Sequence, residues 1–153
     1  MPELPVTFRP TTTRVVLLGV GVALLFVLTG IPLMLESFTT GDRITFITTG
    51  LLGLGVLMLL SRPKVVADEA GVTVVNLTRT RRLAWAEIVR VNLRNGDAWV
   101  HLDLSDGTSL PAMGIQPGIS RQRAVADARA LRALAEAHGT GRPDAPARPG
   151  DGA

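Results

Sequence analysis

The chain has 153 residues, 46% of them hydrophobic and 19% charged, and its lack of cysteine excludes a disulfide framework, a thiolate metal site and a Cys nucleophile. With two long apolar stretches near the N-terminus set aside, roughly 75 residues remain for a core, enough for one small domain and not for two. The pI of about 10.9 does not mark a nucleic-acid binder: 16 basic residues face 13 acidic ones, and with no tyrosine and Lys64 as the single lysine, a small arginine surplus moves the neutral point far up.

Residues 1–14 hold several prolines and three consecutive threonines without apolar periodicity. They read as a flexible cytoplasmic lead-in. Val15 to Leu35 and Ile44 to Leu60 are uncharged, and at about 1.5 Å per residue the first is long enough, as a helix, to cross the hydrocarbon of a bilayer. The second is shorter, and its Thr45, Thr48 and Thr49 are tolerable in a helix because a hydroxyl can bond back to a carbonyl one turn earlier. Small residues four apart, Gly19 with Ala23 and Thr49 with Gly53, would allow the two helices to approach closely.

The apolar run continues past Ile31 and Pro32 without a small-residue cleavage site, which argues for a two-span hairpin over residues 15–60 and against a cleaved signal. Arg9 and Arg14 precede it, Arg62 and Lys64 follow it, and only Arg43 lies in the connection. That bias predicts a multi-pass protein of the cell membrane with both termini cytoplasmic.

Ser61-Arg62-Pro63 ends the second span, since proline lacks the donor that a continuing helix needs. From there, short β-branched runs alternate with turn residues, the pattern of a compact antiparallel domain over residues 61–138. Six strands are predicted: Lys64 to Asp68, Val72 to Asn76, Thr80 to Trp85, Ile88 to Arg94, Ala98 to Leu104 and Thr108 to Met113. Ala70-Gly71, Asn95-Gly96-Asp97 and Asp106-Gly107 supply the turns, each with a glycine that accepts positive φ. Alternation points Val89, Val91 and Leu93 inward on the fourth strand, and Ala98, Val100, Leu102 and Leu104 inward on the fifth, with Trp99, His101 and Asp103 outward.

Ser120 is placed to cap a closing helix that carries Val125, Ala128, Leu131, Leu134 and Ala135 on one side and ends at Gly139. Residues 139–153 are Gly, Pro, Ala and charge, a composition that builds no core.

A bent antiparallel sheet of six or seven strands closed by a C-terminal helix is the outline of a pleckstrin-homology-like (PH-like) domain. The fold class is therefore a transmembrane helical hairpin followed by a small α+β PH-like domain. Phe8-Arg9-Pro10 ahead of two spans, Arg62-Pro63-Lys64-Val65-Val66-Ala67-Asp68-Glu69-Ala70-Gly71, the run Arg81-Arg82-Leu83-Ala84-Trp85-Ala86-Glu87-Ile88 and Leu104-Ser105-Asp106-Gly107-Thr108 together resemble the actinobacterial family of small membrane proteins with a bacterial PH-like domain. The resemblance covers roughly residues 8 to 138. It implies a fold and a topology, brings no catalytic motif and requires no cofactor.

Three features are candidates for function. Arg79, Arg81 and Arg82 cluster near the hairpin between the second and third strands, where PH-like domains elsewhere often bind acidic headgroups; near an anionic leaflet each could add about 1 kcal/mol of attraction. The alternative is a solvated hairpin tip. Trp99, on the outward face, is a candidate partner contact, with a structural role as the alternative. Trp85 is expected in the core between the third strand and the closing helix.

His101, Asp103 and Ser105 alternate along one strand face, yet same-face neighbours stand about 7 Å apart, too far for a working triad. With His138 the only other histidine, no metal cluster is expected. Asn76-Leu77-Thr78 fits a glycosylation acceptor by chance in a cytoplasmic domain. The expected function is non-enzymatic: a membrane-held PH-like binding module that serves other envelope proteins as scaffold or accessory subunit, with attraction to anionic headgroups through the arginine cluster as the alternative.

Overall fold

A computed structural model describes residues 3–118 and 120–139. In chain order the elements are β1 (Val6–Phe8), α1 (Thr11–Met34), α2 (Thr40–Leu60), β2 (Lys64–Asp68), β3 (Gly71–Val75), β4 (Thr80–Ala84), a 3₁₀ turn over Trp85–Glu87, β5 (Ile88–Asn92), β6 (Val100–Leu104), β7 (Ser109–Ala112) and α3 (Arg121–His138). Of the predicted tail over residues 139–153, all but Gly139 lies outside the described residues.

Residues 3–14 depart from expectation. Val6–Phe8 is a strand, and it pairs antiparallel with β2 in the register Val6↔Ala67, Thr7↔Val66 and Phe8↔Val65. The helical hairpin is thus the connection between two neighbouring strands of one sheet. Its links are short: Arg9 and Pro10 on entry, Ser61, Arg62 and Pro63 on exit. Pro63 is fully buried, and buried Ser61 donates its hydroxyl to the Met58 carbonyl at 2.7 Å.

Within the hairpin, α2 opens on a reciprocal cap: Asp42 N–H donates to the Thr39 hydroxyl at 3.2 Å, and Thr39 N–H to the Asp42 carboxylate at 2.9 Å. Thr45 and Thr49 hydroxyls bond back to the carbonyls of Gly41 and Thr45, at 3.0 and 2.8 Å, as the sequence suggested. The closest approach of the helices differs from the expected pairs. Gly21 faces Leu54 and Leu57, Gly50 faces Leu25 and Leu28, and Gly19 meets no atom within 4 Å of where a Cβ would stand. Both helices are long and apolar enough to cross a membrane, and their outer sides leave Phe26 73% and Leu52 67% exposed.

Two antiparallel sheets, β1-β2-β3-β4 and β5-β6-β7, face each other across one core. Val65, Ala67, Val72, Val74 and Leu83 enter it from the first sheet, and Ile88, Val91, Val100, Leu102 and Leu104 from the second. α3 closes the open end with Ala124, Ala128, Leu131 and Leu134, all buried. The buried line begins at Ala124, one position before the expected Val125, which is half-buried. Ser120 precedes the helix but its side chain caps nothing.

Glycines at the turns act in two ways. Gly96 and Gly107 have φ of +93° and +83° and make the predicted reversals. Gly71 does not use positive φ. It is needed for room, since a Cβ there would stand 2.0 Å from the Leu83 carbonyl oxygen, while Asp68 Oδ1 ties the turn by accepting the amides of Ala70 and Gly71 at 2.9 Å each.

β5 breaks simple alternation. Ile88 pairs with Leu104 and Arg90 with Asp103, so Val89 is an extra residue on that strand and points outward, 68% exposed. The preceding 3₁₀ turn, pinned where Ser105 N–H donates to the Glu87 carbonyl at 2.9 Å, delivers the strand in this offset.

Candidate functional site

The three clustered arginines do not form one patch. Arg79 lies in the loop before β4, where its carbonyl accepts the Asn76 amide at 2.8 Å. Arg81 and Arg82 are successive residues of a strand and leave it on opposite sides. Arg81 lies opposite buried Val74 and reaches Asp106 at 4.0 Å; Arg82 lies opposite Thr73 and pairs with Asp68 at 3.2 Å. Thr108 N–H and hydroxyl both donate to Asp106, and these bonds hold its carboxyl below the ordinary aspartate range, with Arg81 adding in the same direction.

Trp99 is not on a strand. The turn from Arg94 to Asp97 is closed twice, by the Asp97 amide on the Arg94 carbonyl at 3.2 Å and the Arg94 amide on the Asp97 carboxylate at 2.8 Å. Pairing therefore resumes only at Val100, and Trp99 sits half-buried in the bend before it, with Ala98 exposed instead of inward.

Trp85 is where expected. It is 4% exposed, donates its Nε1–H to the Asp68 carbonyl at 3.0 Å, and stacks on His138 with ring centroids 5.1 Å apart. His101 and Asp103 take separate partners, Asp97 at 3.9 Å and the Asn92 amide. Among the described residues no three His, Asp or Glu side chains gather as a metal-binding group. Asn76 joins the two sheets, because its side chain donates to the Pro111 carbonyl at 2.8 Å and accepts the Met113 amide at 3.1 Å.

Sequence reasoning missed a shallow cleft, with room for little more than a water molecule, where the hairpin meets the β domain. Residues 9–13 form one wall; Gln116, Ser120, Arg123 and Asp127 line the other. Burial pushes the Asp127 carboxyl up from the ordinary value, and Arg123 draws it partly back. Among the described residues neither Arg9 nor Arg123 has a carboxylate within 4.0 Å, in contrast to Arg81 and Arg82. The available signal was the placement of Arg9 at the mouth of an apolar helix, but its partner wall is far along the chain.

Residues 62–134 match the family described as bacterial PH domain. Uncharacterised proteins of Mycobacterium tuberculosis and Mycobacterium bovis are 34% identical to the chain over 111 residues, which cover 72% of this chain and 70% of theirs. No solved structure matches it. The family match begins after the hairpin and so omits β1, which the structure adds as the edge strand of the same domain. With seven strands in two sheets, a closing helix and relatives that share most of its length, the chain belongs to the bacterial PH domain family.

Proposed function

We propose that the protein is a non-enzymatic binding module held at the cytoplasmic leaflet of the cell membrane, where its PH-like domain docks other envelope proteins as a scaffold or accessory subunit. The observation that carries this reading is the double attachment of the hairpin to the sheet. A domain on one flexible tether can turn freely, whereas links of two and three residues into adjacent paired strands reach only about 10 Å and fix which face looks at the bilayer. Such mounting suits a module that must present one surface in one orientation.

Attraction of anionic lipid through Arg79, Arg81 and Arg82 has less support, because Arg81 and Arg82 already face carboxylates. The test is proximity labelling from the C-terminus of the full chain, compared with a hairpin-only variant. A reproducible set of membrane neighbours that depends on residues 61–139 is expected; labelling no different from the hairpin alone would refute the scaffold reading. Reporter fusions at the C-terminus and within residues 36–43 check the orientation.

A further inference from the structure

The edge of a β-sheet is a row of backbone donors and acceptors that another chain can pair with unless something blocks it. Of the four edges of the two sheets, three are blocked. β1 offers only three residues between Pro5 and Pro10, and β5 is covered by α3, whose Arg132 donates to the Val91 carbonyl at 2.7 Å. On β7, Pro111 has no N–H, and Asn76 takes its carbonyl together with the Met113 amide. The outer edge of β4 has no such cover, and four of its five residues are exposed.

Register shows which groups on that edge are unspent. Asn76 N–H on the Arg79 carbonyl at 2.8 Å makes this pair the hydrogen-bonded end of the β3–β4 hairpin. By antiparallel alternation Arg81 and Leu83 then bond back to β3, while Thr80, Arg82 and Ala84 turn their N–H and C=O outward. The Ala84 amide is spent on the Glu87 carboxylate at 2.7 Å. The amides and carbonyls of Thr80 and Arg82 find no partner among the described residues. Two residues at a spacing of two, each with a donor and an acceptor facing out, are what one further antiparallel strand takes up.

Charge selects the strand. Arg81 and Arg82 leave β4 on opposite sides, which spoils them as one patch but suits an added strand, whose consecutive side chains also point to opposite sides. Arg82 spends only Nη2 on Asp68, and Arg81 stands 4.0 Å from Asp106, so both keep donors for a carboxylate beside them. A second copy is the wrong occupant, since pairing β4 with its twin sets arginines beside arginines. Pro143, Pro146 and Pro149 disqualify the chain's own tail. The register Lys64↔Val75 and Val75↔Thr80 places the Thr80 end of the edge level with the exit of the hairpin, within reach of a neighbour anchored in the same bilayer. We infer that the β4 edge is a docking surface that takes an extended, acidic, proline-free segment of a neighbouring membrane protein as an additional strand. That the neighbour is a membrane protein rests on the scaffold reading; strand addition does not.

The full chain in neutral detergent is titrated with a short blocked peptide of glutamates and valines, with its counterpart carrying lysine for every glutamate, and with a fully N-methylated form of the glutamate peptide, which keeps the charge and loses every N–H. Wild type is compared with Thr80→Pro, which removes one outward donor and leaves every arginine and every bond to β3, and with Arg81→Gln/Arg82→Gln. The expected result is that wild type binds only the unmethylated glutamate peptide, that the Thr80 and Arg82 amides exchange more slowly when it is bound, and that Kd rises about tenfold or more in either variant. The glutamine pair keeps the edge backbone and serves if Thr80→Pro does not fold, with Trp85 fluorescence as the fold check. Equal binding of the lysine or N-methylated peptide, wild-type affinity in a folded variant, no binding of the glutamate peptide at millimolar concentration, or self-association of the free chain that Thr80→Pro abolishes would overturn the inference. Proximity labelling reports on the scaffold reading separately, because the peptides bind or fail to bind in solution without any membrane neighbour.

Discussion

Trp85 joins β2, the 3₁₀ turn and the end of α3, so its replacement reads out the packing of the whole domain. Trp85→Phe keeps most of the buried area and loses the bond to the Asp68 carbonyl, an expected cost of about 1 kcal/mol; Trp85→Ala should cost about 3–5 kcal/mol in denaturant unfolding of the full chain. Gly71 and Gly114 are limited by backbone on the facing strand: a Cβ at Gly114 would stand 2.5 Å from the Lys64 carbonyl carbon. Gly71→Ala and Gly114→Ala should each destabilise by about 3 kcal/mol or more, while Gly19→Ala changes nothing measurable. Two aspartates set opposite pH trends. Asp106, held low, lends stability that is complete above the ordinary aspartate value and fades as pH falls through its folded value, so melting should weaken in that acid window, and less so in Thr108→Ala. Asp127, held high, favours the fold while protonated and loses that contribution as pH rises through its folded value. Asp127→Asn should therefore raise the melting temperature at pH 7 and not below the ordinary aspartate value.

At the scale of elements, what the sequence made legible was local. Asp106-Gly107 and Asn95-Gly96 announced their turns because positive φ belongs to glycine, and β6 showed its inner face by strict alternation from Val100 to Leu104. β1 was hidden. Three residues carry no periodicity, and its partner strand lies beyond the entire hairpin. Val89 misled for another reason: the offset that turns it outward comes from the 3₁₀ turn and its tie to Ser105, a long-range bond that no strand pattern encodes. The site followed the same rule. Arg81 and Arg82 looked like a patch because they are adjacent in sequence, and adjacency on a strand is what separates them, whereas Arg9 and Arg123 are brought to one cleft only by the closure of α3 on the sheet. In the hairpin, Gly50→Leu would push α2 away from Leu25 and Leu28. Cysteine cross-linking between the helices should drop severalfold relative to wild type, with Gly19→Leu as the unaffected comparison.

For the whole molecule, β1 and β2 are sequence-distant and structurally adjacent, so the hairpin behaves as an insertion into an otherwise complete domain. Joining Pro10 to Ser61 through a short glycine-containing turn should yield a folded domain with the near-ultraviolet signal of buried Trp85. Residues 61–139 alone, without Phe8 over the core, should be weaker by about 3 kcal/mol or fail to fold. The same pairing makes the sheet a gauge of correct synthesis. β1 leaves the ribosome first and has no partner until both helices have been made and β2 follows. If only one helix crossed a bilayer, the two strands would stand on opposite sides and never meet, and the bare edge of β2 would be open to other chains. If the two candidate spans enter a bilayer, the pairing of β1 with β2 therefore requires that they cross it an even number of times.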